Sequence, residues 1–342
     1  MSTPDPEPPA EISCVSLGMV ILDEIRMPDK SSLLNVIGGS ATFVTLGLRL
    51  FATPSLRPGC LVMAGADFPQ SIRDEMLTWR TSLVVRDSPN LKSSRGLLTY
   101  RDDTFGPKTF EYTTPPIRPT PQDLINTPLL RARAFHFFGR SEEIGSQVPE
   151  LLRLRHKANP ELPKPFVVWE PLPSACMPEN LSAFLAALKH VDVFSPNHIE
   201  LAAFFSSESK REQTEMDLLS RLEQQGRRFV DAGIGRDGTG TLVIRAGVDG
   251  ALALRHGEDT VRVSAFHEEG SKKVVDPTGA GNAFLGGYVA GWLWEKDVRQ
   301  ALCYGAVASS CAIEQIGLPL SEEVTTSAGE RRLEVFRAKL AE

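Results

Sequence analysis

The stretch Val274-Val275-Asp276-Pro277-Thr278-Gly279-Ala280-Gly281-Asn282-Ala283-Phe284-Leu285-Gly286-Gly287 decides the reading of this chain. Val274 and Val275 are β-branched and suit the end of a strand, and a helix-compatible run extends from Ala283 to Trp294. Between them lies a turn of small residues. Glycines at 279 and 281 let backbone N–H groups approach an anion, and a helix start adds unpaired donors and the positive end of its dipole. The physical expectation is an anion or phosphate hole. A glycine-rich turn in front of an ordinary core helix is the plainer alternative for the same residues.

Upstream, the chain repeats a strand–turn–helix rhythm. Ile12 to Leu17 is an apolar run ending in Gly18, as in the first buried strand of a parallel sheet. Asp23 follows Met19 to Leu22, where an isolated aspartate also reads as a turn or cap residue. Asn35 to Phe43 contains Gly38-Gly39 and leads into a predicted helix through Leu50, with a simple strand-to-helix turn as the alternative. Cys60 to Gly65 is a further strand. Gly96 to Thr113 alternates as a half-exposed hairpin around a turn at Arg101 to Pro107, and the proline-rich segment from Tyr112 to Pro121 reads as a connector.

The second half continues the pattern. Ala134 to Phe138 and Phe166 to Trp169 are short strands, with helices expected over 147–158 and 179–189. His136 reads as a packed core histidine, and Glu170 stands at a strand end. Asn197 and Glu200 fit a helix start with an Asn cap and Glu at the third position. Residues 206–228 are polar and expected to form a solvated helix. Gly233 to Gly240 matches a Gly-x-Gly-x-x-Gly pattern but leads into the strand Thr241 to Ile244, so it is read as a surface loop and not a dinucleotide fingerprint. Arg245, Gly247 and Gly250 open a turn between two strands, and Val261 to Phe266 is the next strand expected. Ala301 to Ile313 reads as a core helix, and Glu330 to Leu340 as an amphipathic one.

Length 342 suits one large α/β domain or two smaller ones, with 42% apolar and 23% charged residues and a net charge of -6. That balance gives no bulk attraction to nucleic acid or to an anionic membrane. No apolar run approaches the roughly 18 residues of a membrane span. The proline-rich start lacks the basic and apolar regions of a signal peptide and is expected to be a disordered tail over residues 1–11. The five cysteines show no Cys-x-x-Cys pair, as expected for reduced thiols in a cytoplasmic protein. No Walker sequence occurs.

Together these motifs resemble the PfkB (ribokinase-like) carbohydrate kinases, in family order over residues 12–320. The resemblance implies a doubly wound three-layer α/β sandwich with a small β-sheet lid built from about 19–37 and 96–115, followed by a C-terminal helix in 321–342. It implies that Asp23, Gly38, Gly39 and Phe43 meet the acceptor, with Phe43 standing where the family usually has asparagine. Asn197, Arg245, Gly247, Gly250, Asp276 and Thr278 would serve ATP. Glu200 would serve magnesium, and the amides of Gly279, Ala280 and Gly281 would hold the transferred phosphate. Asn282 stands where the family places its catalytic aspartate, and this spelling is similar to the fungal maintenance-of-killer proteins.

Two functions follow from the resemblance. One is transfer of the ATP γ-phosphoryl group, with Mg2+, to a hydroxyl of a sugar or small polyol, slowed by Asn282 because an amide cannot accept that proton. The other is a catalytically inactive nucleotide- or sugar-binding scaffold acting through a protein partner. A lid of this kind also offers a homodimer contact.

Overall fold

The computed structural model describes residues 10–28, 30–102, 108–206 and 216–341. The first half of the chain supplies strands β1 (Glu11–Ser16), β2 (Ile21–Arg26), β3 (Leu33–Gly38), β4 (Leu56–Gly65), β5 (Ser82–Ser88), β6 (Arg95–Tyr100) and β7 (Lys108–Tyr112). The second supplies β8 (Ala134–Gly139), β9 (Phe166–Pro171), β10 (Val193–Phe194), β11 (Thr241–Arg245), β12 (Ala251–Leu254) and β13 (Val261–Val263). Nine of them form the main sheet, in the order β13-β12-β11-β10-β9-β8-β1-β4-β5. The run from β11 to β5 is parallel, and β12 and β13 add an antiparallel edge.

The α-helices are α1 (Ser40–Arg49), α2 (Gln70–Leu77), α3 (Ser141–Ala158), α4 (Leu181–Ala187), α5 (His198–Ala203), α6 (Leu218–Asp231), α7 (Ala280–Glu295), α8 (Val298–Ile313) and α9 (Thr326–Ala341). They cover both faces of the sheet, which is why its central strands read as continuous apolar runs. Successive strand residues go to opposite layers. Val15, Trp169, Phe194 and Leu242 pack with Ile144 of α3, Phe184 of α4, Leu201 of α5 and Phe229 of α6. Their neighbours Cys14, Val168, Val193 and Val243 pack with α1, α7 and α8, and with Leu333 and Phe336 of α9.

Helix α7 is apolar all round, as a helix enclosed by others must be. Its crossing with α1 is backbone against backbone. A Cβ at Gly47 would overlap Ala283 O, and one at Gly286 would overlap Val44 O. This close approach fixes the start of α7, and so the small-residue turn, above the ends of the parallel strands.

The other four strands form a separate sheet, β3-β2-β6-β7, with β2 parallel to β6 and both outer pairings antiparallel. This is the second, small sheet, drawn from residues 21–38 and 95–112. One face closes on Ile25, Leu98 and Tyr100.

Several expectations change in detail. Asp23 lies within β2 and is buried, not in a turn. Helix α3 begins at Ser141 because the Glu143 carboxylate caps the N–H of Arg140 at 2.7 Å. Strand β13 ends at Val263, short of Phe266, and β1 begins at Glu11, inside the expected tail. Residues 1–9 of that tail, 103–107 of the hairpin turn and 207–215 of the expected polar helix lie outside the described residues.

Candidate active site

The turn before α7 is built around Asp276, which is 2% exposed. Its Oδ1 accepts from the Thr278 N–H at 2.9 Å and from Thr278 Oγ1 at 2.6 Å. Val275 and Asp276 donate their N–H groups to Ile313 O, tying the turn to the end of α8. Gly279 then takes a left-handed φ of 80° as the N-cap of α7. Beneath it lies Phe43, whose ring fills the space a Cβ on Gly279 would need. Ala280 turns its N–H back on Pro277 O at 3.2 Å, a long bond.

The lid reaches this turn directly. Tyr100 at the end of β6 donates to Asp276 Oδ2 at 2.9 Å and lies 3.0 Å from Thr278 Oγ1. Opposite it in the sheet register, Lys108 of β7 bonds Thr278 Oγ1 and lies 3.6 Å from Asp276 Oδ1. Burial pushes the Lys108 ammonium below its usual range, against the pull of Asp276 and Asp23.

Asp23 sits between two glycines. A Cβ at Gly38 or at Gly96 would overlap its carboxylate. Its Oδ1 is buried with no partner among the described residues. Burial pushes its carboxyl up to about 7, while Lys108 pulls the other way. A buried carboxylate oxygen left unpaired is costly, and a hydrogen-bond donor is what it lacks.

Behind the turn, Arg245 at the end of β11 joins two carboxylates. Its Nη1 lies 2.7 Å from Glu170 Oε1 and its Nη2 3.3 Å from Glu200 Oε2. Its Nε is buried without a partner among the described residues. Glu170 Oε2 is 3.1 Å from His136 Nε2 and accepts from Asn282 Nδ2 at 2.5 Å. Burial works against a charge on Glu170, but Arg245 and then His136 outweigh it and hold the carboxyl below its usual range. His136 is buried as expected, yet it is part of this polar chain, with Nδ1 2.9 Å from Ser16 Oγ.

Asn197 and Glu200 form a reciprocal cap at the start of α5. Asn197 Oδ1 accepts from the Ile199 and Glu200 N–H groups, and the Asn197 N–H returns to Glu200 Oε2 at 2.8 Å. Asn197 Nδ2 bonds Glu200 Oε1 at 2.6 Å. Burial pushes the Glu200 carboxyl up to about 7 despite Arg245 beside it. Both oxygens are thus engaged inside the protein, and no group of three metal-ligating side chains occurs among the described residues.

Beyond Gly281 a cleft of about 400 Å³ opens between the β11–β12 turn and helices α7 and α8. Arg245, Gly247, Gly250, Ala280 and Gly281 line one end. Val248, Phe266, Val274, Ala306 and Ile313 make the rest largely apolar. The fold therefore brings the sequence-derived residues into three adjoining places. Asp23, Gly38 and Gly39 lie at the lid, Phe43, Asp276 and Thr278 to Asn282 at the turn, and Arg245, Gly247 and Gly250 at the cleft. Asn197 and Glu200 lie one layer back, reaching the site through Arg245. Sequence reading missed Tyr100 and Lys108, although strand alternation puts Lys108 on the same side of β7 as Phe110 and Tyr112.

A sugar-kinase-like scaffold is thereby defined, and comparison with known proteins agrees. The chain belongs to the pfkB family of carbohydrate kinases, whose family model matches residues 164–324. It is 34% identical over 331 residues to an uncharacterized protein, C16C9.01c, of Schizosaccharomyces pombe, covering 91% of this chain and 87% of that one. It is 28% identical over 320 residues to Protein MAK32 of Saccharomyces cerevisiae, covering 89% and 85%, in line with the fungal branch expected from Asn282. Among solved structures, fructokinase from Vibrio cholerae, bound to fructose, ADP and calcium ion, superposes with a TM-score of 0.66 at 16% identity, covering 96% of this chain and 99% of that one.

Proposed function

We propose that the protein is an ATP-dependent phosphotransferase acting on a hydroxyl of a sugar or similar small polyol. The observation that carries this reading is Lys108. From the lid it touches the Asp276–Thr278 turn and lies within electrostatic reach of Asp23. One cation therefore stands between an unpaired carboxylate suited to hydroxyls and a helix N-terminus suited to phosphate. Asp23 accepts hydrogen bonds from the acceptor, beside Gly38 and Gly39. Adenine occupies the apolar cleft next to Gly247 and Gly250. The γ-phosphoryl group meets the N–H groups at Gly279 to Gly281, with Lys108 and Arg245 as nearby positive charge. Phosphoryl transfer depends on such positioning and electrostatics more than on covalent help from the protein.

Magnesium enters this reading with the triphosphate, since Mg2+ keeps several waters and binds largely through substrate phosphates. No step is assigned to it here. The membrane has no part in the proposal: among the described residues no helix is long and apolar enough to cross one. The buried free cysteines are consistent with a cytoplasmic setting.

Asn282 favours a second reading, a scaffold that binds nucleotide or sugar without turnover and acts through a protein partner. An amide at the base position forgoes general-base help worth about 10² to 10⁴-fold. The deciding assay is Mg-ATP-dependent phosphorylation across a panel of sugars, polyols and nucleosides. Turnover of one acceptor, lost in Asp23→Asn and Lys108→Met, supports the kinase. A melting-temperature shift with Mg-ATP but no turnover of any acceptor supports the scaffold.

A further inference from the structure

Asn282 is not loosely placed. Its Nδ2 donates to Glu170 Oε2 at 2.5 Å, and Glu170 is 4% exposed on β9. Arg245 Nη1 holds Glu170 Oε1 at 2.7 Å, and His136 Nε2, backed by Ser16, lies 3.1 Å from Oε2. An ionised carboxylate can only accept hydrogen bonds, so the opposite amide rotamer would set Asn282 Oδ1 against Glu170 Oε2, lone pair against lone pair. Nδ2 must point inward and Oδ1 outward. Asn282 Oδ1 has no partner among the described residues and is not one of the buried unpaired atoms. It reaches solvent in the first turn of α7, next to Gly279–Gly281.

We propose that Glu170 is a positioning residue: from β9 it carries the negative charge of this site and presents Asn282 Oδ1 as a fixed acceptor for a ligand hydroxyl. The inference rests on the phosphotransferase reading only for what that ligand is. The charge-assisted bond at Nδ2 polarises the amide and strengthens its oxygen as an acceptor. The same geometry makes the pair a matched amide and carboxylate. A carboxylate introduced at position 282 faces Glu170 across one hydrogen bond, and two carboxylates at that distance share a proton instead of both ionising. Asn282→Asp alone therefore does not place a free base at the start of α7. Exchanging the pair does, because a glutamine at 170 donates to the new carboxylate while its carbonyl still accepts from Arg245. The His136–Ser16 pair can reverse its donor sense to suit.

The test uses four proteins: wild type, Asn282→Asp, Glu170→Gln and the double exchange. Melting temperature is measured at pH 5.5 and 8.0, and Mg-ATP turnover over the acceptor panel. The charged and titratable groups facing the pair are Arg245 of β11 and His136 of β8, with Glu200 of α5 across Arg245; all are the same in the four proteins. Asn282→Asp is expected to lose about 5 °C or more relative to wild type on going from pH 5.5 to 8.0, and the double exchange to regain most of it. If wild type turns over an acceptor, Glu170→Gln lowers kcat at least about tenfold with KM for ATP held, and the double exchange is faster than either single variant. If the stability pattern holds and none of the four turns over, the pairing stands and the phosphotransferase reading fails. Wild-type stability of Asn282→Asp at both pH values, or a double exchange no better than the two losses added, overturns the proposal whatever the activity.

Discussion

Phe43 supports the turn before α7 from below: its ring occupies the space a Cβ on Gly279 would need, and it is 3% exposed. Sequence reading placed Phe43 among the acceptor-binding residues. On the proposed phosphotransferase reading, its burial under Gly279 predicts an effect at the nucleotide side. Phe43→Leu is therefore expected to lower the melting temperature and raise KM for ATP several-fold, with KM for the acceptor little changed. Gly279→Ala combines a strained left-handed φ with a clash against the ring, and should abolish the Mg-ATP-induced thermal shift. Titration calorimetry with Mg-ATP checks both. A Phe43→Leu protein whose only defect is in acceptor KM would restore the simpler assignment.

Tyr100 and Lys108 tie the small sheet to the turn: Tyr100 bonds Asp276 and Thr278, and Lys108 bonds Thr278 and lies 3.6 Å from Asp276 Oδ1. Tyr100→Phe leaves Asp276 Oδ2, a buried oxygen, without that donor, at about 1–3 kcal/mol, and should show as a lower melting temperature. Lys108 is partly exposed, so Lys108→Met should barely move stability. It should instead cut turnover by about 10²-fold or more, the scale seen when one donor to developing charge is removed. Hydrogen exchange of β6 and β7 should rise in both variants. Unchanged kcat in Lys108→Met would remove it from the proposed chemistry.

The fold was legible because its signals are local. Buried parallel strands read as short apolar runs, as at Ala134 to Phe138, and the lid hairpin showed its alternation at Phe110 and Tyr112. At Gly279 to Gly281 the glycines and helix start suited an anion site and an ordinary turn alike, and the structure shows the turn into α7. What stayed hidden depends on contacts distant in sequence. Tyr100 meets Asp276 across 176 residues, and Asn282 meets Glu170 across 112. No spacing rule connects such pairs. Asn197 and Glu200 show another limit: cap and functional site use the same residues, and the geometry displays the cap in full.

The lid also bears on assembly. Edge strand β3 carries Leu34 at 67% exposure, and edge strand β7 carries Phe110 at 45%, on the face it shares with Lys108. Apolar side chains on open sheet edges favour pairing with another sheet. A homodimer through the lid is the expected arrangement, and sedimentation velocity across a range of concentrations measures it. Leu34→Glu should shift the population to monomer without lowering the melting temperature by more than a few degrees. A wild-type protein that stays monomeric at high concentration would rule the arrangement out.

Asp23 should make stability fall with rising pH, the reverse of a salt-bridged carboxylate. Unfolded, an aspartate titrates near 4; folded, burial raises Asp23 from 3.8 to about 7. Between those values the folded protein holds more protons than the unfolded chain, so its stability declines across that window and is flat on either side. Glu200, also raised to about 7, adds to the same slope. Asp23→Asn removes the Asp23 part. It should therefore gain stability relative to wild type as pH rises from 4.5 to 8, by at most about 3 kcal/mol at 1.36 kcal/mol per pH unit. The ligand-free proteins are compared by chemical denaturation at both pH values. Equal differences at the two would mean that Asp23 is already ionised at low pH in the folded state, and that Lys108 outweighs burial.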